Sequence, residues 1–206
     1  MLLLCIGPFG RIAYADADGR HLLVLGDSIS AAYGLQREDG WVALLERRVK
    51  GVDRELSVVN ASISGDTTGG GLARLPELLD EYAPTAVIVE LGGNDGLRGY
   101  PIGRIRQNLE AIIDTCQTMG AEVFLVRMQI PPNYGPRYTR AFAGLYDRLA
   151  EEQDVTLIEG FLEAVALETG LMQSDGIHPT AQAQPMLTDV VWTYLEERCA
   201  TGTCFP

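Results

Sequence analysis

The chain has 206 residues, 47% of them apolar and 21% charged, with a formal net charge of −12. That length suits one domain with a sizeable core, and the composition is that of an ordinary globular protein. The acidic balance excludes a typical nucleic-acid binder, which presents a basic face, and opposes adsorption to anionic membranes.

The first segment, Met1–Ala15, is short and apolar and ends in the small-x-small pattern Ala13-Tyr14-Ala15. It reads as a secretory leader cut after Ala15, which implies a periplasmic or secreted protein. No basic region precedes its apolar run, and Arg11 interrupts the end of that run. An N-terminal arm packed on the domain is the competing reading. The run is too short to span a bilayer, which takes about 20 apolar residues. Residues 16–206 then form a single domain, without repeats or low-complexity linkers.

Apolar runs alternate with amphipathic segments from there on. The runs are His21–Leu25, Leu56–Asn60, Thr85–Leu91, Ala121–Met128 and Val155–Ile158. Rich in Val, Ile and Leu, they suit strands buried on both faces of a parallel sheet. Between them, apolar residues recur at helical spacing. Examples are Trp41/Leu44/Leu45/Val49, Leu72/Leu75/Leu78/Leu79/Tyr82, Ile105/Leu109/Ile112/Ile113/Cys116/Met119 and Phe142/Leu145/Tyr146/Leu149. Pro76 is expected to kink or restart the second of these helices. A last helix is expected from about Thr180 to Arg198, with Leu187, Val190, Val191, Tyr194 and Leu195 inward. Of the four cysteines, Cys5 falls in the leader and Cys116 on a core stripe. Cys199 and Cys204 flank Ala-Thr-Gly-Thr. They form either a small disulfide in an exported protein, worth at most ~2 kcal/mol, or two free thiols in a reducing compartment. None of the four has zinc-site spacing.

Four polar segments fall at or beyond strand ends: LGDSIS (25–30), NASISGDTT (60–68), LGGNDG (91–96) and DGIHP (175–179). Ligands bind at the carboxyl ends of parallel strands, so these segments are expected to converge. Ser28 follows the first strand, where Gly26 permits a tight exit, and is expected to open a short helix. A serine hydroxyl is a weak nucleophile until a base takes its proton. The sequence holds two histidines, His21 and His178. His21 sits at the start of the first strand, about 17 Å from its far end, on the wrong side of the sheet. His178 lies three residues after Asp175, a spacing that lets the carboxylate orient the imidazole. An attacked carbonyl needs donors for its developing negative charge. Candidates are the Ser28 N–H, the Gly65 N–H and the Asn94 side-chain amide. Each of these residues taken alone is as readily a helix cap or turn former.

Together, Ser28, Gly65, Asn94 and the Asp175/His178 pair resemble the SGNH (GDSL) hydrolase family. NASISGDT, ARLPELL, VELGGNDGLRG, PPNYGPRY and DGIHP look like its bacterial periplasmic thioesterase I, lysophospholipase and arylesterase group. The resemblance runs from about Leu22 to Leu195, with Ile29 in place of the Leu of GDSL. It implies a flavodoxin-like three-layer α/β/α sandwich around a five-stranded parallel sheet. It implies an acyl-enzyme on Ser28, catalysis by Ser28, Asp175 and His178, and an oxyanion hole from Ser28, Gly65 and Asn94. It implies no metal or organic cofactor, and a mobile lid corresponding roughly to residues 96–101. The C-terminal CATGTCFP has no counterpart in the pattern.

A serine hydrolase of short- to medium-chain aryl esters, thioesters or lysophospholipids is therefore the leading expectation. Asp27, Leu97, Ile130, Pro131, Tyr134 and Ile177 are expected to bind substrate, being close to the motif loops. The partner is a small acyl ester or thioester, and a monomer is favoured. Two other classes compete. An acyl-carrier-like module would carry a pantetheine arm on Ser28 of Asp27-Ser28-Ile29, but carriers are short helical bundles. A flavin or nucleotide binder would share the fold, but no G-x-G-x-x-G or phosphate-cradling loop follows a strand.

Overall fold

Five of the apolar runs become parallel strands. In a computed structural model describing residues 20–200 and 202–205 they are β1 (Arg20–Gly26), β2 (Leu56–Asn60), β3 (Ala86–Glu90), β4 (Glu122–Val126) and β5 (Thr156–Ile158). The order across the sheet is β2-β1-β3-β4-β5. Leu22 of β1 lies beside Val58 of β2 on one side and Ala86 of β3 on the other. The central strands β1 and β3 are the most deeply covered, whereas β2 and β5 at the edges are only partly buried. Each fully buried Leu, Ile or Val contributes about 1.5–3 kcal/mol, which is why the all-apolar runs occupy the centre.

Helices cover the sheet in two groups. α2 (Thr68–Tyr82), α4 (Ile102–Thr118) and α5 (Pro136–Gln153) pack side by side, and α1 (Trp41–Val52) and α7 (Gln184–Leu195) pack against each other. Two short helices, α3 (Gly93–Leu97) and α6 (Glu163–Ala166), follow β3 and β5. This is the expected three-layer α/β/α arrangement with a five-stranded parallel sheet. The strand order reverses direction at β1 and β3, so the crevice for a ligand opens at their carboxyl ends.

Two helices refine the expectation. α2 continues across Pro76 without restarting. Pro76 is exposed, while Leu75 and Leu79 on either side are buried, and their packing holds the helix together through the missing hydrogen bond. The last helix is split. A 3₁₀ turn at Ala181–Ala183 precedes α7, and another at Glu196–Cys199 follows it. Pro185 lies in the first turn of α7, where its lack of an N–H costs nothing. Leu187, Val191 and Leu195 are buried, and Val190 and Tyr194 are partly so.

Cys199 and Cys204 are joined as a disulfide, and Cys116 is a buried free thiol whose burial pushes its pKa up to about 12. Cys204 and Phe205 are part of the core. Phe205 packs edge-to-face on Phe124 at 5.7 Å, and the Cys204 N–H donates to Asp53 at 2.8 Å. Arg20, the first residue of β1, donates to Asp53 at 2.7 Å and also to the Cys204 carbonyl. The proposed leader lies outside the described residues. Among the described residues, no helix is long and apolar enough to cross a membrane.

Candidate active site

The candidate site begins where β1 ends. A Cβ on Gly26 would lie 2.7 Å from the Ser30 side chain and 2.8 Å from Ser62 Oγ, so the chain can turn this tightly only at glycine. The next residues form a run of turns rather than the expected helix. Asp27 Oδ1 accepts the Ile29 N–H at 3.1 Å, and the Ala31 N–H bonds the Asp27 carbonyl at 2.9 Å. Ala32 then takes a left-handed φ of 59°, which stops a helix before it propagates. Ser28 is thereby held at the rim of the sheet.

The second half comes from the loop before α7. Asp175 Oδ1 accepts the N–H groups of Ile177 and His178 at 2.9 and 3.0 Å, while Oδ2 meets His178 Nδ1 at 2.7 Å. These bonds, led by the one to the imidazole, hold the Asp175 carboxyl down to about 2. The Gln173 N–H closes the loop on the His178 carbonyl at 2.7 Å. The ring of Tyr33 lies over the imidazole, centroids 4.5 Å apart. With Nδ1 facing a carboxylate, Nε2 is left as the acceptor, and it stands 2.8 Å from Ser28 Oγ. His21 lies in β1 at the far end of the sheet, edge-on to Tyr82.

Gly65 and Asn94 complete the rim. Gly65 has a φ of 80°, and its carbonyl accepts from Arg98 at 3.1 Å. Asn94 is the second residue of α3, and its Nδ2 donates to Asp27 Oδ2 at 3.0 Å. Asp95 beside it is buried and anchors α3 to α2 by accepting the Thr68 N–H at 2.8 Å and hydroxyl at 2.7 Å. Burial raises Asp27 to about 6, against the pull of Ile29, Asn94 and Glu90.

A cavity of about 650 Å³ opens from Ser28 and His178. Asp27, Leu97, Ile130, Pro131 and Ile177 line it as expected, together with Gly65 and Asn94. Tyr134 takes a different place. It stands behind the wall, its hydroxyl donating to the Leu97 carbonyl at 2.7 Å. Its ring turns toward Tyr138 instead, because it sits in a 3₁₀ turn leading into α5. The sequence reading missed Leu162, Leu167 and Met172, which also line the cavity in segments that no motif marks. It also missed Arg74, which ties strand ends together by donating to Asp66 at 2.9 Å and to the carbonyls of Ala61 and Gly26 at 2.5 and 3.4 Å. Glu90 escaped notice too, although a glutamate ending the run Ala-Val-Ile-Val-Glu-Leu was a readable signal.

A match to the GDSL-like lipase/acylhydrolase family spans residues 24–184, from β1 through the histidine loop to the start of α7. The chain belongs to the GDSL-like lipase/acylhydrolase family. As a family member it is an ester/thioester hydrolase of the SGNH type. It is similar to the protein named esterase TesA of Pseudomonas aeruginosa, at 51% identity over 88% of this chain and 90% of that one. It is 48% identical to the thioesterase 1/protease 1/lysophospholipase L1 of Escherichia coli K12, over 87% of this chain and 83% of the relative. The solved structure of a psychrotrophic esterase, EstA from Pseudoalteromonas sp., inhibited by monoethylphosphonate, superposes with a TM-score of 0.83. It is 42% identical and covers 86% of this chain and 97% of that one. The acyl-carrier reading is not favoured. Its serine would stand on a short helical bundle, whereas Ser28 follows a strand of a parallel sheet in a family of acylhydrolases.

Proposed function

We propose that Ser28 is the nucleophile of a serine esterase and thioesterase, with His178 as general base and Asp175 as its orienting partner. The supporting observation is the continuous line Ser28 Oγ–His178 Nε2 at 2.8 Å and His178 Nδ1–Asp175 Oδ2 at 2.7 Å. These groups come from opposite ends of the chain, and packing alone brings them into line.

In the first step Ser28 Oγ attacks the acyl carbon as its proton passes to His178 Nε2. The carbonyl π pair moves to oxygen, where the Ser28 N–H, Gly65 N–H and Asn94 Nδ2 would receive it. Collapse expels the alcohol or thiol, which takes the proton from His178. Water, deprotonated by His178, then attacks the acyl-enzyme, and Ser28 leaves with that proton as the acid departs. Asp175 stabilises the imidazolium throughout and stays ionised.

The apolar walls of the cavity suit an acyl chain, and the names of the relatives support esters and thioesters as substrates. Short to medium chains on aryl or thiol leaving groups are the expected preference, bound by Asp27, Leu97, Ile130, Pro131 and Ile177. The site is complete within one chain, which supports a monomer. The Cys199–Cys204 bridge supports export to an oxidising compartment, with the leader cut after Ala15.

The test is intact-mass measurement after a serine-directed phosphonate, paired with p-nitrophenyl esters from acetate to palmitate. One adduct lost in Ser28→Ala, with turnover abolished in Ser28→Ala and His178→Ala, is the expected result. A folded Ser28→Ala protein that keeps most of its rate overturns the assignment.

A further inference from the structure

Glu90 ends β3 with no exposed surface, directly beneath the turn that carries Ser28. Its Oε2 accepts the Asp27 N–H at 3.2 Å and the Ser30 hydroxyl at 2.6 Å, gripping the chain on both sides of Ser28. Its Oε1 is buried without a hydrogen-bond partner. A bare carboxylate oxygen in that position would be desolvated with nothing in return. Asp27, whose N–H Glu90 holds, is itself a buried acidic residue. Asp27 in turn holds Nδ2 of Asn94 at 3.0 Å.

We infer that Glu90 and Asp27 share a single proton in the working enzyme, carried by Glu90 as a neutral acid, and that the pair positions Ser28 and Asn94. The inference rests on the reading of Ser28 as nucleophile. Two adjacent carboxylates cannot both ionise cheaply in a buried site. One proton removes the repulsion and leaves Asp27 a charge with which to aim the Asn94 amide. It also halves the negative charge beneath the point where the substrate oxygen turns anionic. Burial pushes the Glu90 carboxyl well above the ordinary range, and the charge of Asp27 pushes it further.

The surrounding groups leave the proton there. Arg74, from α2, is committed to Asp66 and the Ala61 carbonyl and comes only to the Gly26 carbonyl, at 3.4 Å. Asp95, from α3, is committed to Thr68. Tyr146, from α5, donates to the Leu91 carbonyl at 2.9 Å, and burial, reinforced by Asp95, Glu90 and Asp27, keeps its phenol protonated. His178, from the loop before α7, favours the ionised form of Asp27 once it has taken up a proton. Beyond β4, Met128 approaches Gly93 with an apolar methyl.

Glu90 is a positioning residue, since it lies outside the cavity lining and acts through the turn of Ser28 and through Asp27. Infrared spectroscopy of the wild-type protein at about pH 8, where ordinary carboxyls are ionised, should show a carboxylic-acid C=O band that Glu90→Gln removes. Glu90→Ala should lower kcat about tenfold or more with KM little changed. Glu90→Gln, a neutral isostere, should restore most of that loss and abolish any fall in kcat at alkaline pH. Absence of the band in the wild type overturns the inference, whatever the variants do. So does a Glu90→Gln enzyme as impaired as Glu90→Ala with an unchanged pH profile. The band does not depend on turnover, so its absence leaves the role of Ser28 untouched. A Ser28→Ala protein that remains active would remove Ser28 from the mechanism without moving the band.

Discussion

At the scale of single residues, the site is controlled by what each polar atom is already doing. Both oxygens of Asp175 are occupied, one by two backbone N–H groups and the other by the imidazole. An asparagine there can accept on one side only and would present an N–H where His178 Nδ1 needs an acceptor. Asp175→Asn should therefore force the wrong imidazole tautomer and lower kcat about ten-thousandfold, in a protein that still folds. Steady-state kinetics on an aryl ester check this. The loss should persist well below pH 5, because the wild-type carboxyl stays ionised down to about 2. These proposed roles were legible in the sequence because so few histidines were available to choose from. The part played by Asp27 was less so: its side chain faces inward at a turn, and only packing shows it holding Asn94.

At the scale of elements, β1, β3 and the turns at their carboxyl ends decide where the site lies. Their runs were readable because residues buried on both faces must be apolar along their whole length. Helix ends were less readable. The expectation of a kink or restart at Pro76 followed from local chemistry, and with Leu75 and Leu79 packed on either side the helix does not restart. That helix still lacks one hydrogen bond at an exposed position. Pro76→Ala should thus stabilise the protein by about 2 kcal/mol, the helix-interior penalty of proline less its benefit in the unfolded chain. Denaturant unfolding checks it, and an unchanged or lowered midpoint would mean that the helix has absorbed the proline without cost. Tyr134 shows the same limit from the other side. Its apolar ring and position near the motif suggested a groove wall, but the 3₁₀ turn it occupies turns it to support Leu97 from behind.

For the whole molecule, buried carboxyls link folding to pH. Asp27 is raised from 3.8 to about 6, so the folded state binds its proton more tightly than the unfolded chain. Stability from this group is full below about pH 3.8 and is lost as pH rises through about 6, by up to about 3 kcal/mol. Glu90 acts in the same direction. Asp175 acts oppositely, its contribution present above 3.8 and lost as pH falls toward about 2. Asp53 is also lowered, because the N–H groups of Cys204 and Glu55 and the guanidinium of Arg20 outweigh its burial. The melting temperature should therefore climb as pH is lowered from 8 to near 4, then drop below it. Calorimetry across that range tests the curve, and Asp27→Asn should flatten the upper limb.

The sequence by itself determined the strands, the family and the four loops that meet at the cavity. Each follows from local rules: apolar runs long enough to be buried, glycines where the backbone must turn, and residue types in a fixed order. Tertiary structure decided what those rules cannot reach. It set Nε2 of His178 against Ser28, placed Glu90 beneath the turn of Ser28 and moved Tyr134 behind the groove wall. It also drew Phe205 into the core. Each of these depends on contacts between residues far apart in the chain, and such contacts are set by how layers pack rather than by any neighbouring residue.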